Sequence, residues 1–354
     1  MMTKVKVRQR SVYIDSLKAF AIITVIVGHC IQYGSGYKYL NERLFFSNPI
    51  FKFIYSFHML LFMLLSGYLF ADSVNKNDYI LSLKAKFRQL IIPLFSWSFV
   101  TLFITLVKSS IGTVKQHITI LWCIQTFIEA FFSGPWFLWA VWWCSLIVII
   151  SKRFFKNSII IYILVFILTF ITPDNYGMHM YKFMYPFFVM GYFFNEYDWK
   201  RYQKIYVHPI FICVVSVLFI ILLSFYNYDS YIYNSEYSVL GKNILHQIYN
   251  NLFRMVIGFL GSISIMYIFI IPSRKMSGII KTCIGYIGQN TLGVYIISGI
   301  FIGEVVSRIA APLSKINVLY IFFEVIVSMA FSLIITSILK RNVITNYMFL
   351  GNKK

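Results

Sequence analysis

Ten times along this chain the residues stay apolar for about the length of a bilayer-crossing helix, roughly 20 residues. These runs lie near 14–33, 50–71, 89–107, 135–151, 157–172, 183–195, 208–226, 252–272, 283–306 and 317–339. The expectation is an all-α integral membrane protein, a bundle of about ten transmembrane helices. Composition agrees: 12% of the 354 residues are charged and 59% are apolar, against about 25% charged in a soluble domain. The fifth and sixth runs are the shortest. The apolar stretch at 117–133 suits an interfacial or re-entrant helix leading to Gly134 and Pro135.

The basic residues test this count. With the N-terminus inside, the inner segments hold 21 Lys and Arg against 10 outside, setting aside Lys18 within its span. Inner clusters include KVKVRQR, KAKFR, SKRFFK and WKRYQK. The excess follows the positive-inside rule and predicts cytoplasmic N- and C-termini. The formal charge of +20 thereby reads as topology and headgroup contact rather than as a nucleic-acid surface. Five scattered cysteines, without C-x-x-C, indicate neither a disulfide framework nor a metal site. The first run follows a basic head but lacks a small-residue cleavage site, so it reads as a retained span. No internal repeat or linker divides the chain. It is expected to be one transmembrane domain over 1–354: a cytoplasmic head at 1–12, spans over 13–339 and a cytoplasmic tail at 340–354, with no appended soluble domain. The longest outer segment, 227–251, is rich in Tyr and Asn. Such residues suit contact with an outside polymer and equally suit a membrane interface.

The first span, YIDSLKAFAIITVIVGHCIQY, carries Asp15, Lys18 and His29. Ionisable groups within a span cost roughly 2.5–3.5 kcal/mol each at its centre and usually serve function. At about 100° per residue, the steps from Lys18 to His29 bring both to one helix face, about 16 Å apart along the axis. Asp15 lies near the same line and suits an i, i+3 pairing with Lys18. Lys18 is then expected near the cytoplasm and His29 in the outer half. His58 lies early in the second span, which runs the other way, so the two histidines reach similar depth. A neutral imidazole suits general-base work at pH 7. No G-x-S-x-G elbow is present, which favours direct acyl transfer over an acyl-enzyme. Lys84, Lys86 and Arg88 precede Pro93 at an inner loop; such a cluster can hold phosphates or simply mark topology. Trp136, Trp139, Trp142 and Trp143 open the fourth span and read first as packing and anchoring.

Taken together these motifs resemble the acyltransferase-3 family of membrane acyltransferases, in particular the branch that O-acetylates bacterial surface polysaccharides. The resemblance rests on the Lys18–His29 spacing and on FIYSFHMLLFMLLSGYLF, which contains Phe57, His58, Ser66, Gly67 and Tyr68. KFRQLIIP, PWFLW at Trp136 and GQNTLGVYII around Thr291 and Tyr295 are similar to further family elements. The chain departs from the family pattern in three places. Lys18 stands where many members have Arg, the inner loop lacks Arg-x-x-Arg, and Ser298 stands where many members place a histidine.

The resemblance implies transfer of an acetyl or other acyl group from cytoplasmic acetyl-CoA to a sugar hydroxyl, without a metal. The acceptor would be a cell-surface polysaccharide or its lipid-linked precursor, and the setting the bacterial cytoplasmic membrane. On that reading His29 is the general base, with His58 orienting or polarising. Lys18, Lys86 and Arg88 hold the donor's phosphates, and Trp136 and Tyr295 lie on the substrate side. Membrane lipid and the glycan are the expected partners, nucleic acid is not, and oligomeric state stays open. Two readings from other classes are an exporter or flippase of a glycan, without catalysis, and a polysaccharide polymerase. The second would call for several Arg residues in a large outer loop, where this chain has only Lys242 and, at the edge, Arg254.

Overall fold

The computed structural model describes residues 11–76, 78–112, 118–174, 177–196, 208–240, 243–313 and 317–353. The basic clusters at 4–10 and 200–204 and Lys242 lie outside them. Every regular element among the described residues is helical. In chain order these are α1 (Val12–Tyr33), α2 (Tyr37–Asn41), α3 (Pro49–Lys76), α4 (Tyr79–Lys86), α5 (Ile92–Ser110), α6 (Ile120–Ser133), α7 (Trp136–Phe154), α8 (Ile159–Ile171) and α9 (Met178–Glu196). There follow α10 (Pro209–Ser224), α11 (Ile244–Ile268), α12 (Ile270–Lys275), α13 (Gly278–Gln289), α14 (Thr291–Phe301), α15 (Ser307–Ala310), α16 (Val318–Arg341) and α17 (Val343–Leu350).

Within hydrocarbon each backbone polar group must be satisfied by its own segment, so apolar runs of this length become helices. Side-chain caps set several of their starts. Ser11 Oγ accepts from the Ile14 amide at the start of α1, and Asn48 Oδ1 accepts from Ile50 and Phe51 at the start of α3. Asn317 does the same for α16. Among the described residues seven stretches are long and apolar enough to cross a membrane: α1, α3, α4 continued into α5, α7, α11 continued into α12, α14 continued into α15, and α16. Three shorter apolar helices, α6, α8 and α10, accompany them. The protein is thus a multi-pass membrane protein. Large apolar side chains of α16, such as Phe322 and Leu319, are exposed, as a surface turned to lipid requires.

All ten apolar runs are helical, with three departures from the expected outline. The ninth is broken at Asn290, whose Nδ2 donates to the Tyr286 carbonyl at 2.7 Å, between α13 and α14. The eighth begins earlier, at Ile244, so the outer tyrosine-rich segment is shorter than the sequence suggested. That segment is also not an open loop: Tyr226, Tyr231, Ile232 and Tyr237 are buried. The stretch at 117–133 contains α6, of 14 residues, which buries no side chain and lays Phe127 against Phe95 and Phe99 of α5.

The bundle is organised on α1 and α3. In each, 67% of the most apolar window is buried, against 22% for α16. They pack on each other, α3 on α9, and α1 also on α13 and α16.

Candidate active site

His29 lies one turn from the end of α1 and His58 in the third turn of α3, so the two occupy the same end of the bundle. Their rings are within electrostatic reach of each other. His58 is buried, and its Nδ1 is 2.7 Å from the Ile54 carbonyl oxygen. A carbonyl only accepts, so Nδ1 carries the proton and neutral His58 keeps its lone pair on Nε2. His29 is half-buried, beside Tyr33 at 6.0 Å between ring centroids. Among the described residues its ring nitrogens have no hydrogen-bond partner.

Tyr55 joins the two helices. Its ring lies edge-on to His58, centroids 4.7 Å apart, and its hydroxyl approaches Gln32 Oε1 of α1 at 3.4 Å. The segment after α10 closes over this end. The phenols of Tyr33, Tyr55, Tyr226, Tyr231 and Tyr233 gather within electrostatic range of one another. Trp136, buried at the start of α7, donates its indole N–H to the Tyr233 hydroxyl at 2.8 Å. Tyr295 on α14 stands near Tyr233 and edge-on to the Phe137 ring, centroids 6.2 Å apart. The structure therefore brings His29, His58, Trp136 and Tyr295 to one tyrosine-rich cluster. Trp136 reaches it through Tyr233.

The covering segment is clipped in place by a buried ion pair. Lys182 Nζ of α9 meets Asp174 at 2.5 Å, and the other Asp174 oxygen accepts from the amides of Tyr237 and Ser238 at 2.6 and 2.7 Å. Burial alone would push the Asp174 carboxyl up. The Lys182 ammonium and the two amides outweigh burial and hold it below the ordinary carboxylate value. Its contribution to stability is thus present above about pH 4, the unfolded value, and is lost as pH falls through the lower folded one. Breaking a buried pair leaves its partner uncompensated and costs on the order of 3 kcal/mol. Asp174→Asn is therefore expected to lower the thermal midpoint in detergent and to expose the 227–240 segment to protease. It should also remove the acid-side loss of stability below about pH 4. An unchanged midpoint and cleavage pattern would mean that the clip does not hold the segment.

Lys18 and Lys86 meet at the other end of α1. They are close enough for their charges to act on each other, and Lys86 Nζ lies 5.1 Å from the Phe70 ring centroid. A π-helical turn, Phe87–Ile91, follows Lys86; such turns often occur at functional sites. Arg88 is drawn elsewhere, its Nε donating to the Gly351 carbonyl at 3.2 Å just past α17. Sequence reasoning did not single out Tyr33, Tyr55, Tyr226, Tyr231 or Tyr233. The only signal was the tyrosine density around residue 230, which a membrane interface also produces.

A family described as an acyltransferase domain matches residues 11–337. The nodulation protein NolL of Mesorhizobium japonicum is 26% identical over 298 residues, covering 82% of this chain and 76% of that protein. NolL of Sinorhizobium fredii is 29% identical over 195 residues, 53% of this chain and 49% of its own length. No solved structure matches.

Proposed function

The chain belongs to this acyltransferase family, and on that premise we propose that it carries an acetyl group from cytoplasmic acetyl-CoA to a sugar hydroxyl of a cell-surface polysaccharide or its lipid-linked precursor. The setting is the cytoplasmic membrane of a bacterium, with Lys18 and Lys86 on the inner side and the histidines in the outer half. One observation carries the reading: α1 brings Lys18 beside Lys86 of α4 at one end and His29 beside His58 of α3 at the other. The separation of Lys18 and His29 along the axis, about 16 Å at 1.5 Å per residue, is comparable to the length of a pantetheine arm.

On this mechanism the donor's phosphates sit against Lys18 and Lys86, with Arg88 of the same inner loop nearby in sequence. The thioester lies beside His29. The acceptor oxygen attacks the thioester carbonyl while His29 takes the hydroxyl proton. The new C–O bond forms, the C–S bond breaks, and the proton passes from His29 to the departing thiolate. His58 keeps a lone pair on Nε2, from which it orients the hydroxyl or the partner imidazole. The tyrosine hydroxyls, Tyr295 and the Trp136–Tyr233 pair offer the stacking faces and hydrogen bonds a sugar ring requires.

The test is purified protein in lipid with labelled acetyl-CoA, with and without glycan or its lipid-linked precursor. Glycan-dependent release of coenzyme A with label in the glycan is the expected result. No release with any acyl donor, together with glycan movement across the bilayer, would make the protein an exporter. In the same assay Lys86→Gln is expected to raise the KM for acetyl-CoA about tenfold, the equivalent of one charge-assisted phosphate contact, with little change in kcat. An unchanged KM would take Lys86 out of donor binding.

A further inference from the structure

Arg254 lies in the third turn of α11 and is only 3% exposed. Its Nη2 donates to Asn251 Oδ1 and, at 3.4 Å, to the Glu236 carbonyl. The guanidinium carbon stands 4.5 Å from the Phe183 ring centroid. Its Nε is buried and, among the described residues, has no hydrogen-bond partner. The acid whose charge reaches it, Asp174, is already taken by Lys182 and by two backbone amides. Arg254 and Lys182 are buried and Asp174 is nearly so; among the described residues these two cations and one acid leave one positive charge over. A buried charge without a counter-ion is strongly unfavourable unless something of opposite charge meets it. Neither Arg254 nor this excess belongs to the acyl-transfer machinery described above.

The position of the charge matters. Arg254 lines one small cavity, of about 20 Å³, with His58, Tyr55 and Tyr226. A group bound at the guanidinium is thereby placed beside the proposed chemistry, while the cations ascribed to the donor lie at the far end of α1. Guanidinium is also the side chain best matched to carboxylate and phosphate oxygens.

We infer that Arg254 anchors an anionic group of the acceptor, a carboxylate or phosphate carried by the glycan near the hydroxyl that is modified. The inference rests on the acyl-transfer reading for its meaning, but its test does not require turnover. A uronate on the sugar and the phosphate of a lipid carrier present the same chemistry, and the choice of probes separates them.

The experiment measures binding to the purified full chain in nanodiscs of neutral lipid. The probes are a neutral galacto-oligosaccharide, an oligogalacturonate of the same length and a polyprenyl-phosphate sugar. Wild type is expected to bind at least one of the charged probes tenfold or more tightly than the neutral one, with the preference falling as salt rises. Arg254→Gln should remove the preference while keeping the neutral affinity, and Arg254→Lys should retain part of it. Tighter binding of the uronate assigns the charge to the sugar, and tighter binding of the phosphate assigns it to the carrier. Equal affinity of wild type for neutral and charged probes would overturn the inference. So would an equal loss of all probes in Arg254→Gln, the signature of an arginine that only props the Glu236 segment. Displacement of the glycan by phosphatidylglycerol would move the site to a lipid headgroup and also overturn it. The wild-type comparison decides the matter even where a variant fails to assemble. Failure of acetyl transfer in the separate assay, with the charge preference intact, would overturn the proposed activity alone.

Discussion

His29→Ala is expected to lower glycan-dependent release of coenzyme A by at least about 100-fold, within the range of a positioned general base. The protein should remain in the membrane in wild-type amount. The two histidines are not equivalent in the structure. His58 is buried and its Nδ1 is committed to the Ile54 carbonyl, one turn back on its own helix. His29 is less buried, and among the described residues neither of its nitrogens is engaged. A base must exchange a proton with substrate, which favours the ring without a fixed bond. His58→Gln, whose amide retains one donor and one acceptor, is expected to lose less than His29→Ala. Wild-type turnover in His29→Ala would remove that residue from the chemistry. A 100-fold loss confined to His58 would exchange the two roles.

Gly191→Val is expected to destabilise the protein by about 3 kcal/mol or more, the upper range for an overpacked contact, and to abolish activity with it. Here α9 crosses α3 at a distance only glycine permits. A Cβ on Gly191 would lie 2.0 Å from the Leu64 carbonyl oxygen, and one on Gly67 would lie 2.0 Å from that of Phe188. Both obstacles are backbone, so no rotamer change relieves them. Small residues at such crossings let helices pack where lipid offers no hydrophobic drive for association. The crossing also sets the site, because α9 carries Phe183 and Met184 of the cavity wall and Lys182 of the clip. The thermal midpoint and monodispersity in detergent are the readouts. Gly299→Ala serves as control, since nothing lies within 4 Å of the added carbon. A Gly191→Val protein with a wild-type midpoint would mean that α3 and α9 do not meet this closely.

Helical geometry is local, and so is what could be read without the fold. Apolar run length fixed which segments are helical, and 100° per residue put Lys18 and His29 on one face of α1. The opposite direction of the second span put His58 at the same end. The family motifs followed, because they too are short and contiguous. Residues 227–240 were a different case. Tyrosine serves a membrane interface and a buried cluster equally well, so composition could not say that Tyr226, Tyr231 and Tyr237 turn inward. The bonds from Asp174 to the Tyr237 and Ser238 amides, the Trp136–Tyr233 bond and the placing of Arg254 beside His58 join residues far apart in the chain. No periodicity encodes such pairs. They arise when α3, α7, α9 and α11 pack, and only that packing decided that a surplus buried cation would stand next to His58.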